Sequence, residues 1–83
     1  MSQSELIIES GMSPDDECKL VIKKNNIAID LLEIKEFWWE IHVFELEKAK
    51  HNLLYSPECY QYDDLPSALV ALADFVKKYI YET

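Results

Sequence analysis

Glycine occurs once in this sequence, at Gly11, and arginine does not occur at all. The first scarcity excludes a glycine-rich phosphate loop, whose backbone must approach phosphate with no Cβ atoms in the way. It also implies that regular elements fill most of the chain. The second removes the guanidinium fork that reads guanine and clamps phosphate. Cysteine is nearly as rare: Cys18 and Cys59 are too few for a disulfide framework. They read as reduced thiols, with a single bridge between them left open. No apolar run approaches the roughly 20 residues of a membrane helix. The opening MSQSELIIES has neither a basic stretch nor a long apolar core, so no signal peptide is expected. The expected location is the cytoplasm.

What the chain has in excess is negative charge. Sixteen acids stand against eight basic residues, a formal net charge of −8 over 83 residues. Proteins that grip nucleic acid neutralise phosphates with clustered cations. This chain repels polyanions, so direct binding to nucleic acid is not expected, nor is docking on anionic membrane. A basic protein surface is the favoured partner. Solubility alone is the plainer reason for such charge. The hydrophobic fraction of 49 % is ample for folding, and the length suits one small domain spanning residues 1–83.

The clearest element is DDLPSALVALADFVKKYI. Leu65, Ala68, Leu69, Leu72, Phe75, Val76, Tyr79 and Ile80 recur at spacings of three and four, which predicts an amphipathic helix over 65–80. Asp63 or Asp64 can cap it, Pro66 fits its first turn, and Asp74 and Lys78 can pair across one turn. Residues 39–46 alternate and are rich in β-branched and aromatic types, as a strand requires. A second strand is expected over 27–34, with Ile27, Ile29 and Leu31 on one face. Residues 18–23 read as its hairpin partner through Lys24, Asn25 and Asn26, since Asn tolerates the positive φ of tight turns. The competing reading makes 14–24 a short helix capped by Ser13. A further strand is expected within 53–62, where Pro57 marks an edge, a bulge or a break. The expected class is α+β: a small antiparallel sheet of three to four strands with the C-terminal helix on one face.

Trp38 and Trp39 stand side by side in the central strand, so their rings must point to opposite faces. Trp39 shares parity with Phe37, Ile41 and Val43 and is expected in the core. Trp38 shares parity with Glu40, His42, Phe44 and Leu46 and is expected to be substantially exposed. Leu6, Ile7 and Ile8 packing over it is the competing reading. The candidate protein-binding residues are Trp38, Glu40, His42 and Phe44, with Glu36, Glu45 and Glu47 as neighbouring carboxylates. Exposed aromatics with polar rims serve as interface anchors.

Catalytic chemistry finds no support. Cys18, Cys59, His42 and His51 lack the spacing of metal ligands, so no metal is expected. Nothing in the sequence places a thiolate beside a base. The acids are spread along the chain, and an 83-residue domain offers little cleft for a carboxylate pair. The expected function is therefore non-enzymatic and cofactor-free: an acidic binding protein that occupies a basic protein surface, as an inhibitor or immunity-type factor, including by imitating nucleic acid. Small acidic inhibitors and nuclease-immunity proteins share this size and charge; no motif here links the chain to either. The alternative is a structural or regulatory module that homodimerises through an exposed sheet face.

Overall fold

In the computed structural model the described residues are 5–11, 17–34, 38–46, 51–55 and 61–82, with His51 described by its backbone alone. Five strands follow one another along the chain: β1 (Ile7–Ser10), β2 (Cys18–Lys24), β3 (Ile27–Ile34), β4 (Trp38–Leu46) and β5 (His51–Tyr55). Each is antiparallel to the next, and the spatial order equals the chain order. Helix α1 (Leu65–Val76) follows and continues into a π-helical segment, Lys77–Tyr81. The α+β class is as expected, but the sheet has five strands instead of three to four. The additional strand is β1. Its Ile7-Ile8 pair is too short to show alternation, which hid it from the periodicity argument.

Residues 18–24 form a strand, so the hairpin reading holds over them; residues 14–16 lie outside the described part. The reason is at the turn. Asn25 and Asn26 have φ of 54° and 68°, the pair of left-handed conformations that a two-residue hairpin needs. Asn accepts that geometry better than other residues with a Cβ. Asn26→Ala should therefore cost about 1 kcal/mol, and Asn26→Gly should not destabilise; chemical denaturation of both variants checks this.

The helix-side face of the sheet carries Ile22, Ile29, Leu31, Ile41 and Val43, packed with Ala68, Leu72 and Ile80. Helix α1 lies over β3 and β4. Trp39, Tyr55, Tyr62, Phe75, Val76 and Tyr79 pack around this cluster. The helical stripe is narrower than its sequence implied: Leu65 and Leu69 are exposed. The expected Asp74–Lys78 ion pair does not form. Lys78 Nζ lies 5.3 Å from the Tyr79 ring instead, and Lys77 reaches Glu82 at 3.6 Å.

Asp64 caps the helix, its Oδ1 accepting from the Ser67 backbone N–H at 2.7 Å. That bond holds the Asp64 carboxyl below the usual carboxylate range. A lowered folded-state pKa means that the cap stabilises above the ordinary range and is lost as pH falls through the folded value. Asp64→Ala should melt below the parent at neutral pH, and the gap should close in acid. Parallel thermal melts of both proteins across the acid range measure it.

Candidate protein-binding face

Only one side of the sheet is covered by α1. On the other, β4 presents Trp38, Glu40, His42, Phe44 and Leu46, as alternation requires. Register then adds neighbours that period alone could not. Phe44 stands beside Ala28 on β3 and Leu53 on β5; Ala28 in turn faces Lys23, and Lys23 faces Ile7. His42 stands beside Asp30, Asp30 beside Val21, and Val21 beside Glu9. Val21, Lys23, Ala28, Asp30, Phe44 and Leu46 line a shallow depression of about 330 Å³.

The expected site residues are brought together in part. His42 Nε2 and Glu40 Oε1 lie 3.1 Å apart, within hydrogen-bond distance. The His42 and Phe44 rings are nearly parallel, 6.3 Å between centroids. Glu45 does not join them. It pairs in register with Ile27 and Asn52 and has the parity of the helix-side face. Glu36 and Glu47 lie outside the described residues.

The two tryptophans point to opposite faces, but their burial differs from expectation. Trp39 packs against the core as expected, yet it is only half-buried. Trp38 is also half-buried instead of substantially exposed. Both sit where β4 begins, opposite the end of β3: Trp38 faces Ile34, and Trp39 faces Glu33. A ring there covers its neighbours on the strand ladder without being enclosed itself.

The carboxylates of this face differ in their partners. Glu9 and Lys23 form an ion pair at 2.8 Å and offset each other. Asp30, opposite His42 in register, and Glu40, beside the His42 ring, are further carboxylates of this face. Among the described residues no three His, Cys, Asp or Glu side chains converge as metal ligands, and no helix is long and apolar enough to cross a membrane. No protein-family model matches the chain, and no significant match exists among curated proteins or solved structures.

Sequence reasoning reached the β4 residues of this face but not Asp30, Val21, Ala28 or Lys23. Their signal was the parity of 18–24 and 27–34 taken together. It becomes a surface only once the register sets which residues are opposite.

Across the molecule, the return from β5 to α1 is fixed by polar contacts. Trp39 and Tyr62 exchange backbone hydrogen bonds at 2.8 and 3.0 Å. Gln61 Oε1 accepts from the Ile41 N–H at 3.3 Å, and Gln61 Nε2 donates to the Tyr55 hydroxyl at 2.6 Å. Burial pushes the Tyr62 hydroxyl pKa up, with Tyr55 and Asp74 nearby adding to the effect.

Proposed function

We infer that the chain is a non-enzymatic binding protein whose open sheet face occupies a basic protein surface, in the manner of an inhibitor or immunity factor. The observation that supports this reading best is the sheet face turned away from α1: a depression lined by Val21, Ala28, Phe44 and Leu46 together with Lys23 and Asp30, with Glu40 on the same face. Antiparallel sheets that face water usually show polar residues there; this one shows aromatic and aliphatic area alongside its carboxylates. The net charge of −8 and the lack of arginine favour a basic partner. Carboxylates would steer the encounter, and Phe44 with the exposed part of Trp38 would supply anchor area.

The test is capture of a partner from the native cell, followed by binding kinetics with the purified pair. Association should slow as salt rises, because the steering field is screened. Phe44→Lys should weaken the complex by about 2 kcal/mol, the size of an interface anchor, with little effect on thermal stability. An acidic partner, or tight binding of duplex DNA at physiological salt, would falsify this reading.

A further inference from the structure

The outer edge of the sheet offers a second contact, distinct from the open face. The Gly11 N–H donates to the Lys19 carbonyl at 3.2 Å. Bonded pairs alternate in an antiparallel ladder. With the observed register, Glu9–Val21 and Ile7–Lys23 are therefore the bonded pairs of β1 and β2, and Ile8–Ile22 and Ser10–Leu20 are not. The backbone N–H and C=O groups of Ile8 and Ser10 then point away from β2, off the edge of the sheet, and those of Leu6 follow by the same phase. All four β1 residues are exposed, and no described strand pairs with that edge.

The side chains repeat the pattern. Ile8, Ile22, Ile29 and Val43 form one cross-strand row on the helix side. Their exposures are 60, 8, 0 and 0 %. The core row thus runs out to the edge and stops at an exposed isoleucine. Exposed edges invite pairing, and proteins commonly guard them with lysine, proline or a bulge. β1 itself has neither lysine nor proline, and its one charge, Glu9, is already bonded to Lys23.

We propose that β1 pairs antiparallel with β1 of a second copy of this chain about a two-fold axis through Ile8, joining two five-stranded sheets into one. This register is the self-complementary one. It sets Ile8 against Ile8 and Leu6 against Ser10, each through the outward-facing groups, and Ile7 beside Glu9. The isoleucine row becomes continuous from one core to the other, and both helices lie on the same side. Charge permits it locally in a chain that is strongly acidic overall: Glu5 and Glu9 are balanced by Lys23 and Lys24 around this strand. The opposite edge, β5, is the poorer partner. Its register with β4 shifts between Val43 and Phe44, and a β1–β5 contact would propagate into open filaments instead of closing. A four-residue edge buries less than a permanent dimer does, so the dimer should dissociate on dilution.

Sedimentation of the purified chain from low micromolar to millimolar concentration tests this. The expected result is a monomer–dimer equilibrium with little response to salt, together with slower amide exchange at Leu6, Ile8 and Ser10 as concentration rises. Ile8→Lys places a charge on the axis, and Ser10→Pro removes an outward N–H without breaking a bond to β2. Both should be monomeric throughout and melt like the dilute parent. A parent that stays monomeric, a dimer that survives both variants, or polymers in place of dimers would each overturn the proposal. A dimer abolished by Phe44→Lys but not by Ile8→Lys would assign self-association to the open face instead.

Discussion

Leu72→Asp is expected to abolish cooperative unfolding altogether. Leu72 is 5 % exposed, in the cluster that includes Ile29, Ile41 and Val43. The residues nearest it in this thin core are aliphatic or aromatic, and no buried polar group lies among the described residues. A carboxylate placed there has no partner, so it must either ionise in an apolar site or be held neutral. Either costs several kcal/mol. A domain of this size has about 5–10 kcal/mol of stability in total, and α1 has nowhere else to bury its apolar side. Loss of near-ultraviolet dichroism and of a sigmoidal denaturant transition is the expected result. A variant that melts like the parent would show that the helix does not hold the sheet.

Trp39→Ala is the next largest effect, at about 2–3 kcal/mol of stability, below the range for a fully buried aromatic because the ring is only half-buried. The loss has two sources. The ring packs against the core cluster, and the strand position it occupies exchanges backbone hydrogen bonds with Tyr62, which brings the chain back to start α1. Only the first is lost on truncation, so the backbone bridge should survive. Trp38→Ala should cost less, because α1 lies over the other side of the sheet. If the open face is the binding surface, that variant should lose affinity more than stability. Denaturant titrations of both variants give the comparison. The opposite ranking would exchange the two faces of β4 and with them the proposed binding surface.

How far the sequence reached depended on the range of the physics involved. Side-chain alternation and helical spacing are local, so β3, β4 and α1 were legible from residue types alone, β2 against a competing helix over 14–24, and the cap as either Asp63 or Asp64. So were the Asn25-Asn26 turn and the opposite directions of Trp38 and Trp39, because conformational preference and strand parity belong to the residues themselves. The expectation of a basic partner likewise rests on composition alone. Where the helix lies relative to the sheet is not local. Leu65 and Leu69 have the right spacing for the stripe and are nonetheless exposed on a helix that lies over β3 and β4. The partial burial of Trp38 also depended on what the sheet places next to it. Register is the least local of all. Only the paired strands bring Asp30 and Val21 beside His42, or set Ile8 at the end of the row Val43–Ile29–Ile22. A shift of one residue would send every side chain of a strand to the other face. What selects the observed pairing is burial of Ile22, Ile29, Leu31, Ile41 and Val43 against one helix, a free energy that exists only when all these elements are assembled.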